Sequence, residues 1–484
     1  MALPATAVWE FRSTATAGNV NGGGFNSARG GTDYSQQDAA QVAQADGTST
    51  ASTTFTSALA TFTSAMVGNY LHLISATGTP TAGWYEIVTF TDANNVVLDR
   101  VSGTYTAATF KVGGAISLGS TLDDDVFEAF VAGNTGHVKG NVVYTLGEAV
   151  SVSSAADGTA TNVVKLIGYN TTRGDAPTGS TRPTFACGAN AIGLPAHWDV
   201  YYINFTTTAA TGVAPYNYVN FIHCKAVNSS TTATRYALYL NQQFVHAFAC
   251  EFISYRGNAI HHNDSYDTFV GCYIHDSNNG VQVASNYHAP MYSRCIISDN
   301  VNAAINIGST TNTNMTINGC TLYGAENKLG TGVAITAGTK GPKIISSIIA
   351  GFVNGVNHGT SGNRSGVDEY NDYYNNTTDV TNWTKGSTDI AVNPAFTSVA
   401  QLTGATATTS GSVLTQSGGD FSTVTDNVDF VYIKSGTGIT AGKYLITSHT
   451  SDTITLDIAP GTNATADKVW QVTVGHNYLP TGSI

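Results

Sequence analysis

A cysteine repeat dominates the middle of this chain and limits what it can fold into. Cys224, Cys250, Cys272, Cys295 and Cys320 recur at intervals of 22 to 26 residues, and each stands two positions before an apolar residue: Ala226, Phe252, Ile274, Ile297 and Leu322. The series continues with Ser347 before Ile349 and Asp372 before Tyr374. A second short apolar stretch follows most of these markers, at Asn258-Ala259-Ile260, Gly280-Val281-Gln282-Val283, Ala303-Ala304-Ile305 and Gly355-Val356, after polar turns such as HDSNNG. A unit of this length with several short strands and no helix cannot bury its apolar face alone, so the repeat predicts a solenoid rather than a row of closed domains.

Stacked rungs lie about 4.8 Å apart, so residues at equivalent positions form a ladder. Cysteine is small and often fully buried, which suits an internal column. The spacings match neither a zinc site nor a redox pair. Parallel side chains on adjacent rungs sit slightly too far apart for disulfides, and five members cannot all pair. The expectation is therefore a column of reduced thiols, with Cys187 an earlier buried thiol. The tract VNPAF at residues 392–396 is expected to close the stack.

Composition agrees with an elongated β-architecture. A chain of 484 residues exceeds what one core normally serves. Only 11% of residues are charged, whereas 42% are apolar with 24 Tyr and 19 Phe, which excludes disorder and disfavours helix. A net charge of −12 with 20 Lys+Arg and no basic cluster argues against a nucleic-acid partner. No stretch reaches the roughly 18 apolar residues of a transmembrane helix, and MALPATAVWEFRS has neither the basic start nor the apolar core of a signal peptide.

Four segments emerge. Residues 1–44 read as an extended N-terminal arm, with Trp9, Phe11, Phe25 and Tyr34 as anchors for a neighbour and a tight turn at Gly22, Gly23 and Gly24. Residues 45–114 and 398–484 contain an internal repeat. Phe62 matches Phe421, Ile74 matches Ile433, and Thr81-Ala82-Gly83 matches Thr440-Ala441-Gly442. Tyr85 and Ile87 match Tyr444 and Ile446, Leu98-Asp99 matches Leu456-Asp457, and Phe110-Lys111-Val112 matches Trp470-Gln471-Val472. Strand patterns such as WYEIVTF and KYLITSH, divided by Gly/Thr/Asn turns, predict two related small antiparallel β-modules. Residues 115–397 form the solenoid. It opens on a capping helix, STLDDDVFEAFVAG, with Thr121 or Asp123 as cap, Val126, Phe127, Phe130 and Val131 as the apolar face, and Gly133 as terminator.

The order of a Trp-containing leader, a small β-module, VGGAISLG, the capping helix, VVYTLGEAV, VVKLIGYNTTRGD and then degenerate Asn/Gly/Ile rungs resembles the pectin-lyase-like proteins of tailed bacteriophages, tailspikes and fibres among them. The resemblance implies an all-β fold, a right-handed parallel β-helix flanked by the two modules. It further implies a structural virion component (fibre, spike or head or tail appendage) that is homotrimeric, touches other virion proteins and binds host surface glycans. Assembly in the host cytoplasm and release by lysis would follow, without a signal peptide. Two alternatives remain: a tailspike depolymerase cleaving capsular or O-antigen polysaccharide, and a bacterial surface adhesin.

Catalytic signatures of this fold are clustered Asp residues with a cationic base, or carboxylates at acid–base separation. Neither is evident, and no catalytic residue, metal or cofactor is assigned. The richest polar cluster is His261, His262, Asp264, Asp267, His275 and Asp276, read as turn and surface residues. Asp368 and Glu369 sit in another expected turn. Side chains one or three residues after each marker should point outward: Ile253, Tyr273, Ile296, Tyr323, Ile348 and Tyr373. A face this apolar predicts subunit packing first, with loop cover or a sugar-stacking groove as alternatives.

Overall fold

A computed structural model describes residues 7–12, 21–118, 123–151, 154–230, 232, 234–263, 266–284, 289–308, 314–324, 330–335, 341–359, 366–394, 400–440 and 442–474. Thr121, Asp264, Ala395, Phe396 and Ala441, named above, lie outside these residues, as does the side chain of Asp123. The chain divides into two compact units, Met1–Ala226 with Asn241–Cys250, and Val227–Leu240 with Glu251–Ile484.

The first unit begins its parallel stack at the N-terminus. Strand Ala7–Phe11 pairs in parallel with Thr135–Lys139, which continues through Val164–Tyr169, Trp198–Tyr201, Asn220–Ile222 and His246–Phe248. Two shorter parallel sheets, Val143–Thr145 to Asn204–Thr207 and Val150–Ser151 to Val213–Pro215, complete this part of the coil. The described part of segment 1–44 is therefore no free arm. Trp9 packs among Tyr70, Trp84 and Phe130, and Phe11 against Phe127 and Phe130. The buried carboxylate Glu10 is paired with Arg12 at 3.0 Å and Arg173 at 2.7 Å. A short helix, α1 (Asp123–Glu128), brings Phe127 and the following Phe130 against Trp198.

In the second unit three parallel sheets stack rung on rung. Sheet I runs Thr268–Val270, Met291–Ser293, Thr316–Asn318, Lys343–Ile345 and Val367–Glu369. Sheet II runs Glu251–Ser254, Tyr273–His275, Ile296–Ser298, Thr321–Tyr323, Ile348–Ala350 and Asp372–Tyr374. Sheet III runs Tyr236–Leu240, Asn258–His262, Asn279–Val283, Ala303–Ile307, Thr331–Ile335, Asn354–His358 and Thr378–Thr381. Inward columns such as Phe252, Ile274, Ile297, Leu322 and Ile349 are fully or almost fully buried.

The cysteines mark a corner. The residue before each marker has positive φ, from His223 and Ala249 in the first unit to Gly271, Arg294, Gly319, Ser346 and Tyr370 in the second. A left-handed residue reverses the chain between sheets in the fewest steps. It also leaves the next N–H outside the strand ladder, where it needs another acceptor. The marker side chain one rung on supplies it: Cys224 N donates to Cys250 Sγ at 3.4 Å, Cys320 N to Ser347 Oγ at 3.1 Å and Ser347 N to Asn371 Oδ1 at 2.9 Å. Each thiol in turn donates across its own corner, for example Cys295 to Ser293 O and Cys320 to Asn318 O. All six cysteines are buried, and none is in a disulfide. The last marker is Asn371 rather than Asp372, so Tyr373 aligns with the core residue Ile349 and points inward.

The flanking modules are closed six-stranded antiparallel barrels with one topology. Around the first run Val42–Thr50, Thr54–Thr56, Asn95–Leu98, Gly83–Asp92, Tyr70–Pro80 and Gly103–Val112; around the second run Ala400–Ser410, Val413–Thr415, Thr453–Leu456, Gly442–His449, Phe430–Ser435 and Asn463–Val474. Tyr85 and Tyr444 are buried equivalently, with their hydroxyls donating to Thr81 O and Thr440 O. One anchor shifts by a residue. Leu73, not Ile74, is the partner of Ile433, since Leu73 and Ile433 pair with the equivalent Gly83 and Gly442 and face the barrel cores.

Of VNPAF, Val392 donates its N–H to Asp372 Oδ1 at 2.9 Å, and Ala395 and Phe396 lie outside the described residues. Trp383 covers the last rungs of the coil. It is buried, stacks on His358 and donates from Nε1 to Asp368 Oδ2 at 2.7 Å. A Cβ on Gly366 would lie 2.0 Å from its ring, which is why glycine stands there.

Candidate functional site

The polar cluster read from sequence separates into three places. His262 lies inside the coil, with Nδ1 3.0 Å from Asp267 Oδ2 and Nε2 2.6 Å from the Tyr292 hydroxyl. All three residues are fully buried, and desolvation pushes the Tyr292 phenol well above its usual range. These two hydrogen bonds tie the His–Asp–Tyr set together inside the core. It is a core feature rather than the turn or surface feature expected.

His275 and Asp276 stand at the C-terminal end of the sheet II strand Tyr273–His275. The His275 ring stacks on Tyr273 at 3.8 Å, with Nδ1 2.7 Å from Asp276 Oδ2 and Nε2 3.1 Å from Glu251 Oε1. Lys443 of the second barrel pairs with Asp276 and donates to Asp299 O at 3.0 Å. Burial lowers the Lys443 ammonium to about 7. His275 and Asp276 are buried, so this group also differs from the surface residues expected and is read as a fastening between barrel and coil. Among the described residues no group of three or more His, Cys, Asp or Glu side chains is arranged to hold a metal ion. Asp368 lies on strand Val367–Glu369 rather than in a turn, facing inward.

The outward face of sheet II is not the open apolar surface expected. Ile253, Tyr323 and Ile348 are at most 9% exposed in the single chain, and Tyr273 and Ile296 are half-buried. Tyr323, Ile348 and Ala350 pack together with Ile296 and Tyr374 flanking them. Tyr373 does not belong to this face at all. The chain itself covers most of this apolar area, which leaves little for a neighbouring subunit.

Sheet III presents the more open face. Its strands read apolar-polar-apolar at the C-terminal end: Leu238-Tyr239-Leu240, Ile260-His261-His262, Val281-Gln282-Val283, Ile305-Asn306-Ile307. The middle residues align by register into an outward column, Tyr239, His261, Gln282, Asn306, Ala334, Asn357 and Thr381. A second column holds Tyr236, Asn258, Asn279, Ala303, Thr331, Asn354 and Thr378. At its upper end the His261 ring stacks on Tyr236 at 4.2 Å and on Tyr239 at 5.5 Å, with interplanar angles of 25° and 14°. Below, Asn279 Nδ2 donates to Asn258 Oδ1 at 2.8 Å, and Thr381 Oγ1 to Asn354 Oδ1 at 3.3 Å. The carbonyl oxygens of Asn279 and Asn306 have no hydrogen-bond partner. Neither column contains a charged carboxylate, lysine or arginine. Of these residues only His261 is a site candidate from sequence, whereas Asn258, Gln282 and Ala303 read as parts of rung strands. The others were readable in the repeated apolar-polar-apolar triplet once its register was known.

No family model matches this chain, and no curated protein matches it either. Several solved structures are similar to it in part. A pectate lyase is 12% identical over 57% of this chain and 77% of its own, with a TM-score of 0.40. The tailspike of Acinetobacter baumannii bacteriophage Fri1, a capsular polysaccharide depolymerase, is 8% identical over 84% of this chain and 93% of its own, at 0.39. The tailspike of E. coli bacteriophage HK620, solved with a pentasaccharide, is 10% identical over 74% and 84%, at 0.33. The parallel β-helix of this chain is established by its own strand ladders, rung paired on rung.

Proposed function

We propose that this protein is a glycan-binding component of a phage virion, of tailspike or fibre type, and that the outer face of sheet III takes a neutral stretch of host surface polysaccharide. The observation that carries the reading is the stack of Tyr236, Tyr239 and His261 beside a ladder of uncharged amides. Sugar rings have an apolar face that packs on aromatic side chains and a rim of hydroxyls that both donate and accept. Side-chain amides match that rim, since each carries both donors and an acceptor. A charged polymer would find no counter-ion in these two columns. Attachment to other virion proteins and assembly as a homotrimer complete the proposal.

The test uses capsular or O-antigen polysaccharide from the host, with binding followed by calorimetry. Tyr239→Ala with His261→Ala should weaken binding at least tenfold, and Gln282→Ala by a smaller factor. Tyr370→Ala, at an exposed corner of another sheet, should change nothing. Undiminished binding by the double variant would remove this face from the site. New reducing ends or unsaturated uronates in the same mixture would make the protein a depolymerase.

A further inference from the structure

One difference between the two barrels is answered from elsewhere in the chain. In the first barrel the Arg100 guanidinium lies over the Tyr85 ring, 4.2 Å from its centroid, and pairs with Asp99. Asp99 Oδ1 also accepts from Glu86 N at 3.1 Å, which fixes the carboxylate beside the ring. The second barrel repeats these parts. Asp457 Oδ1 accepts from Leu445 N at 3.1 Å, and the Tyr444 hydroxyl is tied to Thr440 O as Tyr85 is to Thr81. The residue after Asp457, however, is Ile458, where the first barrel has Arg100.

The place is nonetheless filled by a guanidinium. Arg256, from the coil segment between Glu251–Ser254 and Asn258–His262, lies 4.4 Å from the Tyr444 centroid and 3.7 Å from Asp457 Oδ1. Around it Tyr255 meets Phe430 edge to face at 5.0 Å, and Lys443 pairs with Asp276. We infer that the Tyr–Asp pair is a guanidinium seat common to both modules, filled in the first by the barrel's own arginine and in the second by an arginine of the coil. The second barrel is thereby fastened to its coil by a ligand that the first barrel supplies to itself. A planar, delocalised cation suits this seat because it can stack on the ring and meet the carboxylate at the same time, which an ammonium does less well.

The inference makes Ile458→Arg a competitor built into the chain. Ile458 is half-buried, so a longer side chain there has room to reach the seat. Hydrogen exchange on the full chain is the readout, in peptides covering 273–279 and 428–434 for docking and 453–456 for barrel integrity. Arg256→Ala and Ile458→Arg should each raise exchange several-fold in the docking peptides and leave 453–456 unchanged. The double variant should exchange like Arg256→Ala alone, because nothing is left to displace. Wild-type protection in Ile458→Arg, or an additive rise in the double variant, would overturn the inference. If Ile458→Arg disturbs 453–456, Arg256→Lys decides: increased exchange at the docking peptides supports a guanidinium seat, and full protection overturns it.

Discussion

A cysteine in a β-coil reads as filler, yet here its sulfur completes a hydrogen-bond ladder. The marker position can hold Cys, Ser or Asn because each offers an acceptor to the N–H that the left-handed corner leaves outside the sheets. Sequence showed the column and its burial but not this reason, since thiol, hydroxyl and amide look unrelated without the geometry. The same blindness misplaced the last marker. Asn371, Asp372, Tyr373 and Tyr374 offer two readings one residue apart, and a slip of one turns every side chain to the other face. The ladder makes a specific prediction at Ser347, whose oxygen accepts from Cys320 N. Ser347→Ala leaves that buried donor unsatisfied and should cost about 1–3 kcal/mol in denaturant unfolding. Ser347→Cys extends the thiol column and should cost clearly less; equal losses in the two variants would reject the ladder.

Strand by strand, periodicity was a good guide wherever a strand has one buried face and one open face. The duplicated modules, the short helix and most rungs follow from it. It failed at Trp383, which covers the last rungs of the coil from a segment without repeat, and at Asp368, a carboxylate in the core column of Ile344. Asp368 accepts from the Tyr373 hydroxyl, Trp383 Nε1 and Asn371 Nδ2. Burial outweighs these donors and raises its carboxyl from 3.8 to about 6. A folded carboxyl that holds its proton more tightly than the unfolded one is stabilised by acid. The closing rung should therefore be most stable below about pH 4, lose stability as pH rises towards 6 and change little above that. Hydrogen exchange across Val367–Tyr374, corrected for the intrinsic pH dependence of exchange, measures it; protection that rises through this window would contradict the assignment.

For the whole molecule, the burial of the sheet II face changes what assembly should depend on. A homotrimer remains the expected state in solution, but Ile253, Tyr323 and Ile348 already have their cover. Tyr273→Ser with Ile296→Ser should thus lower the stability of the chain while light scattering still reports three subunits. Dissociation into monomers at unchanged fold would return this face to the interface. The path of the first unit has a further consequence, for the order of folding. The chain lays down one coil strand, Ala7–Phe11, leaves to build a barrel, and meets the next coil strand only at Thr135. The barrel's ends are stitched together, Gly22 N to Gly113 O and Gly23 N to Gly114 O, and Ile116 is thereby delivered beside Glu10 and Arg12. Once the barrel has formed, the long loop between the first two rungs is already closed, and its entropy no longer opposes their pairing. A nascent chain can fold the barrel as a local, antiparallel unit on leaving the ribosome and hold its first coil strand ready, so that the slow parallel stacking starts from a finished template instead of a free end.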